Sequence, residues 1–300
     1  MSVAFIFPGQ GGQFVGQGQS WAQADPAIMD LFKNADRVSD RPISELCWSG
    51  PAEQLSRTVN LQPAVLTVSL AALRLMRGRG LKPAFVAGHS LGEFGALAAA
   101  EVLSEDKALE LVAARAVLMD ETAQKNPGAM LAVIGLSPEE VEGICELARN
   151  EGPVVPANFN SPDQIVISGA GRAVAAAAKY VKLKNGRGIP LPVTGAFHSE
   201  LMAAAGEKFA DFLEKTAFQK PVCPVLPNAT GLPTEDPEEI KARLIRQIVS
   251  PVRWTRTVES LLAAGVTEFV EAWPKSYMGA LVKKCIPKEQ LSSISVSFQA

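Results

Sequence analysis

The chain begins with a short apolar run, SVAFIF at residues 2–7, closed by PGQGGQ. This pattern predicts a buried strand that ends in a tight glycine-rich turn. Helical spacing of apolar positions follows near 26–38 and 61–79, and AFVAG (84–88) predicts a second buried strand. Strand, helix and strand in this alternation argue for a parallel α/β sheet. After GHS comes a helix of mostly small residues, LGEFGALAAAEVL. The next helix, SEDKALELVAARAVLMDETA (104–123), opens with Ser104 as N-cap and carries acidic residues in its first turn.

Between about 128 and 193 the pattern changes. AMLAVIG, SPEEVEGICELAR, VVPANF, QIVISG, RAVAAAAKYVKLK and GIPLPV read as β-α-β-β-α-β, the order of a ferredoxin-like unit. Helical patterns near 199–216, 237–248 and 255–264 follow, and the strand EFVEAW is placed to rejoin the first sheet. The expected fold class is α/β: a large α/β-hydrolase-like domain with a parallel sheet (1–127 and 194–300), interrupted by a small ferredoxin-like α+β subdomain (128–193).

Composition fits this picture, since 300 residues that are 47% hydrophobic and 20% charged can bury a large core. The net charge of -2, with basic and acidic residues spread along the chain, gives no electrostatic reason to expect nucleic acid or a membrane as partner. Cys47, Cys145, Cys223 and Cys285 lie far apart with no C-x-x-C pair, and there are two histidines, so neither a metal site nor a dense disulfide framework is readable. The N-terminus lacks a basic leader, and no run approaches the roughly 18–20 apolar residues that span a bilayer. A soluble, cytoplasmic protein is expected.

The chemistry starts at GHSLG (88–92), a G-x-S-x-G pattern after an apolar strand and before a helix, the setting of a nucleophile elbow. Flanking glycines let the backbone take a strained turn that lifts the hydroxyl above the sheet. The competing reading makes Ser90 a plain N-cap. A serine hydroxyl needs a base, and only His89 and His198 offer an imidazole. His89 is adjacent to Ser90 and its side chain should point to the other side, so it should not reach the hydroxyl. His198, in VTGAFHSEL, lies at the junction of the insert and the large domain.

On the 104–123 helix, Ala108, Leu111, Val112, Arg115, Leu118, Met119 and Thr122 share one face, which puts Arg115 among apolar residues. A buried guanidinium requires a carboxylate, from an internal Asp or Glu or from a ligand gripped by its planar fork. Periodicity alone leaves these two open.

FIFPGQGGQ, GHSLGE, Arg115 in AARAVLM, NFNSPDQIVISG, GAFHS and RQIVSPVRWT together resemble malonyl-CoA:acyl carrier protein transacylases and the wider acyltransferase family of fatty-acid and polyketide synthesis. The resemblance runs in order over nearly the whole chain. It implies that Ser90 is the malonylated nucleophile and His198 its base, a dyad in which a main-chain carbonyl at Gln247 orients the imidazole. It also implies oxyanion-hole N–H groups at Gln10 and Leu91, Arg115 on the malonyl carboxylate, and Asn158 and Asn160 toward the cleft. Phe197 matches malonyl-selective members, its ring filling the space an α-methyl would need.

No cofactor is implied. The partners are malonyl-CoA and acyl carrier protein, and the chain is expected to be a monomer. Basic groups at Arg172, Lys179, Lys182, Lys184 and Arg187, or at Lys283, Lys284 and Lys288, are candidates for carrier docking. A serine esterase or acyl-thioester hydrolase is the alternative activity. Two positions depart from the family: the second glycine of GQGGQ stands where serine is common, and Glu101, read as part of the helix after the elbow, stands where glycine is usual.

Overall fold

Among the residues described by the computed structural model, 2–193 and 195–298, nine strands form two sheets. In chain order they are β1 (Ser2–Phe7), β2 (Phe85–Gly88), β3 (Ala129–Ile134), β4 (Val154–Ser161), β5 (Gln164–Gly169), β6 (Arg187–Pro190), β7 (Val225–Leu226), β8 (Val266–Glu271) and β9 (Ser295–Phe298). The first sheet runs β7-β2-β1-β8-β9 with every pairing parallel. β1 is central because both of its faces are apolar: Phe5 and Phe7 enter one core and Ala4 and Ile6 the other.

Register decides where chemistry can sit. Phe7 pairs with Gly88 and Ile6 with Glu271, so the turns after β1, β2 and β8 leave the sheet at one edge. That edge holds the carboxyl ends of parallel strands, where open α/β sheets bind their ligands.

The second sheet is antiparallel, in the order β4-β5-β3-β6, with the helices Pro138–Ala148 and Gly171–Leu183 packed on it. Its order along the chain is the expected β-α-β-β-α-β. The last strand is shorter than GIPLPV predicts, since Pro190 and Pro192 have no N–H to extend the ladder. The expected return to the large domain at residue 194 falls outside the described residues. The insert is tied to the rest through β4, where the Phe159 N–H donates to the Val252 carbonyl and the Val252 N–H to that of Ala157.

Two sequence expectations are corrected. The helix Thr58–Gly78 is, by length and composition, long and apolar enough to cross a membrane. It is a core helix instead, with 89% of its most apolar window buried. Glu101 is not on the helix after the elbow, which ends at Ala99; it stands in the following turn at φ 60°, a left-handed conformation in which glycine is normal. Its carboxylate has a partner, Arg77, at 3.7 Å.

Candidate active site

The elbow is built by contacts that admit no side chain. A Cβ on Gly88 would lie 2.0 Å from the Gly92 carbonyl carbon, and one on Gly92 would lie 2.1 Å from the Phe7 carbonyl oxygen. Strand and helix therefore meet at van der Waals distance, and Ser90 between them takes φ 51°. A non-glycine residue held there costs about 1–3 kcal/mol and persists only when its surroundings fix it. The Ser90 N–H donates to Asn228 Oδ1 at 2.6 Å, Asn228 Nδ2 donates to the Gly88 carbonyl at 2.7 Å, and Gln247 Nε2 donates to the Ser90 carbonyl at 2.8 Å. Both peptide groups around the serine are thus bound from distant parts of the chain.

Ser90 Oγ donates to His198 Nε2 at 2.7 Å. On the other side of the ring, Nδ1–H donates to the carbonyls of Gln247 (3.1 Å) and Ser250 (3.0 Å). These two acceptors assign the proton to Nδ1 and leave Nε2 as the acceptor facing the hydroxyl. Burial, and next the Arg115 charge, lower the His198 pKa from 6.5 to about 3, so the imidazole is neutral around pH 7. His89 does not compete for the hydroxyl; its Nε2 lies 2.8 Å from Asn160 Oδ1 and its ring lies against Trp254.

Arg115 is 1% exposed and meets no carboxylate within salt-bridge distance among the described residues. Nη1 donates to Gln62 Oε1 at 2.5 Å, and Nη2 donates to Gln247 Oε1 at 3.0 Å and to Ser90 Oγ at 3.3 Å, while Nε makes no hydrogen bond. Two amide oxygens and a hydroxyl solvate the cation without neutralising it. Burial lowers its pKa to about 10, which leaves it charged at neutral pH. The nearest internal anion is Glu93, reached through Gln247: Gln247 Nε2 donates to Glu93 Oε2 at 2.9 Å, and the Asn228 N–H donates to the same oxygen at 3.2 Å. Burial raises the Glu93 pKa to about 7. The choice left open by periodicity resolves into a relay, with the protein's own carboxylate one residue removed from the guanidinium.

Gln10 and Leu91 flank this group. Leu91 immediately precedes the helix Gly92–Ala99, and Gly9 is packed so closely that a Cβ on it would lie 2.6 Å from the His89 carbonyl oxygen. The Gln10 turn therefore abuts the elbow. Among the described residues neither main-chain N–H, at Gln10 or at Leu91, has a protein acceptor. Two free N–H groups beside the serine, one at a helix start, can stabilise developing negative charge.

The remaining expected residues are placed less directly. Asn160 bonds His89 rather than Ser90 or Arg115, and Asn158 is buried where β4 meets Val252. Phe197 is 4% exposed and folds over Gly195 into the main core, with no bond to the dyad it precedes. Beyond His198 a cleft of about 690 Å³ opens between Pro153, Val155 and Pro156 of the insert and Val249 and Pro251.

Sequence reasoning missed Gln62, Glu93, Asn228 and Ser250. The first two carry the signal that found Arg115: Gln62 lies in an unbroken buried stretch of its helix, and Glu93 is the one charged residue on a helix whose eight residues are all buried. Asn228 and Ser250 lie in irregular segments, where local pattern is silent.

With this geometry in hand, the chain matches the acyl transferase domain family over residues 4–296. It is 41% identical over 298 residues to a malonyl CoA-acyl carrier protein transacylase of Bacillus subtilis, covering 98% of this chain and 93% of the relative. Against one from Escherichia coli it is 38% identical over 294 residues, covering 97% and 95%. Among solved structures, an acyl-carrier-protein-S-malonyltransferase from Bartonella henselae superimposes with a TM-score of 0.94 at 35% identity, over 100% of this chain and 95% of that one. A malonyl-transacylase in complex with its type II PKS acyl-carrier protein superimposes with a TM-score of 0.93 at 36% identity, over 99% and 96%.

Proposed function

The chain belongs to the acyl transferase domain family, and from that premise we propose that it transfers malonyl from malonyl-CoA to the phosphopantetheine thiol of acyl carrier protein through an ester on Ser90. One observation carries the residue assignment: a hydroxyl 2.7 Å from a neutral imidazole and 3.3 Å from a buried cation.

The steps follow from those positions. Arg115 draws in the free carboxylate of malonyl-CoA, which competes with Gln62, Gln247 and Ser90 for its donors and also meets the unbonded Nε–H. This orients the thioester carbonyl over Ser90. His198 Nε2 takes the Ser90 proton as Oγ attacks the carbonyl carbon, and the N–H groups of Gln10 and Leu91 receive the oxyanion. The C–S bond breaks, the proton on Nε2 passes to the CoA thiolate, and malonyl-Ser90 remains. The carrier thiol then enters, gives its proton to His198 and attacks the ester carbonyl; the Ser90 alkoxide leaves and recovers that proton. Two half-reactions at one serine predict ping-pong kinetics. No step calls for a metal or redox group.

The cleft between the insert (128–193) and the large domain (1–127 and 194–300) is lined by His198, the residue bonded to Ser90, and the proposal takes the pantetheine arm along it. Acyl carrier protein is the macromolecular partner, and the supply of malonyl units to fatty-acid or polyketide synthesis in the cytoplasm is the setting. Of the candidate docking cations, Lys284 pairs with Asp163 at 3.2 Å and Lys184 with Glu140 at 3.7 Å, both on the surface. Phe197 limits methylmalonyl-CoA by filling the space an α-methyl would need, a discrimination worth about 1–3 kcal/mol.

The test separates transfer from hydrolysis. After loading with malonyl-CoA and removal of free thioester, holo acyl carrier protein should discharge the enzyme much faster than buffer does. Discharge by water at the same rate would make the protein a hydrolase.

A further inference from the structure

Tyr277 lies outside every motif that identifies the site, in WPKSYMGAL after β8, yet it touches the turn that carries Gln10. Its hydroxyl donates to the Gln10 carbonyl at 2.9 Å. Its ring covers the two glycines that follow: a Cβ on Gly11 would lie 2.3 Å from the Tyr277 oxygen, and one on Gly12 would lie 2.9 Å from Cγ of the ring. The space that a serine would occupy at Gly12 is filled by this phenol. Lys275, two residues earlier, places its ammonium 3.6 Å from the Phe14 ring centroid, so the two segments meet at a second point.

The phenol is itself held from below. Glu271, fully buried at the end of β8, accepts the N–H of Tyr277 at 3.0 Å, of Met278 at 2.8 Å and of Gly279 at 3.3 Å. Burial, and next the Glu271 charge, raise the Tyr277 pKa, which keeps the hydroxyl protonated and donating. Because β8 pairs with β1 up to Ile6–Glu271, this carboxylate is anchored in the same sheet as the Gln10 turn.

The consequence concerns two adjoining peptide planes that meet at the Gln10 Cα. The Gln10–Gly11 peptide is bound at its oxygen by Tyr277 and at its nitrogen by Gln13 Oε1, 2.8 Å from the Gly11 N–H. On the other side Gly9 is wedged against His89. The Gln10 N–H belongs to the adjoining Gly9–Gln10 peptide, which shares the Gln10 Cα with the bound plane; with that plane held on one side and Gly9 packed on the other, little rotation is left to the N–H.

We infer that Tyr277 is a positioning residue for the oxyanion hole, aiming the Gln10 N–H through its hydroxyl, and that Gly12 is the residue that admits its ring. The inference rests on Gln10 serving as an oxyanion donor in the proposed reaction.

The experiment is a comparison of acylation rate constants with malonyl-CoA, by rapid quench and intact mass, for wild type and Tyr277→Phe. Melting curves and malonyl-CoA affinities in a Ser90→Ala background are measured alongside. Losing an oxyanion donor outright costs roughly 10²–10³-fold, and a donor left in place but loosened should cost about tenfold. Tyr277→Phe should therefore acylate about tenfold more slowly, with a cooperative melt and unchanged thioester affinity. An unchanged rate, or a loss expressed as weaker binding, overturns the inference.

A second pair tests the packing. Gly12→Ala should be severely impaired, and Gly12→Ala with Tyr277→Leu should acylate no more slowly than Tyr277→Leu alone; multiplicative losses contradict it. Wild type that forms no adduct would instead remove the proposed reaction, and the inference with it.

Discussion

Arg115 Nη2 donates to Ser90 Oγ at 3.3 Å, so the buried cation and the serine hydroxyl share one hydrogen-bond network. The hydroxyl accepts from Arg115 while it donates to His198, so in the proposed reaction a carboxylate taken up by the guanidinium would compete for the first bond and leave the second in place.

Arg115→Ala should separate the two. Charge-assisted bidentate pairing is worth several kcal/mol in a buried site, so kcat/KM for malonyl-CoA should fall by roughly 10²–10³. Acetyl-CoA has no carboxylate to lose, and its transfer should persist or improve. Arg115→Lys should behave like the alanine variant, because an ammonium cannot reproduce the fork. Equal losses for both thioesters would remove the assigned role.

If His198 is the base, as proposed, its environment shapes the pH profile. Its pKa is lowered from 6.5 to about 3, so the base stays unprotonated well below the range where an ordinary histidine charges. Acylation should show no acid limb from His198 near pH 6.5, and with Glu93 replaced by Gln it should hold level toward pH 5. In Arg115→Gln the second cause of the shift is gone, so any acid limb should move upward, while burial still keeps it below 6.5. Glu93, raised to about 7 and bonded to Gln247, titrates in the same range, so the discriminating case is Glu93→Gln: a break at pH 6–7 that survives in that variant would contradict this electrostatic picture.

Asn228 bridges the two carbonyl-to-amide gaps of the elbow, binding the Ser90 N–H and the Gly88 carbonyl together. Asn228→Ala leaves the left-handed serine without its main restraint. Acylation should drop on the order of 10–100-fold, with a loss of about 1–3 kcal/mol in stability from the buried groups left unpaired. Denaturant melts and quench kinetics on one preparation check both.

How much of this could be read beforehand depends on whether a residue's role is written locally. The strands SVAFIF and AFVAG, the β-α-β-β-α-β insert and the elbow glycines follow from periodicity and turn chemistry. Ser90 stood out through its motif between strand and helix, His198 through the scarcity of histidine and Arg115 through a charge on an apolar face. Asn228, Ser250 and Tyr277 did not, because each acts on the site through bonds that cross more than fifty residues of sequence, and a two-residue strand such as β7 has no period to detect. β9, largely exposed at the sheet edge, lacks the apolar run that marks a buried parallel strand.

Glu101 offers a test of backbone strain away from the chemistry. Its φ of 60° and its exposed ion pair with Arg77 set a steric cost of about 1–2 kcal/mol against a bridge worth less than about 1 kcal/mol. Glu101→Gly should therefore leave acylation unchanged and raise the melting midpoint slightly, the entropy of glycine offsetting part of the gain. A lower midpoint would mean that the Arg77 pair outweighs the strain.

The central claim is that one serine carries the malonyl group between two thiols. Its most direct test is peptide mapping of protein quenched after incubation with malonyl-CoA. A single malonyl ester on Ser90, absent from Ser90→Ala and formed far more slowly by His198→Ala, is the predicted result; a malonyl group on any other residue, or an undiminished adduct in Ser90→Ala, would contradict it.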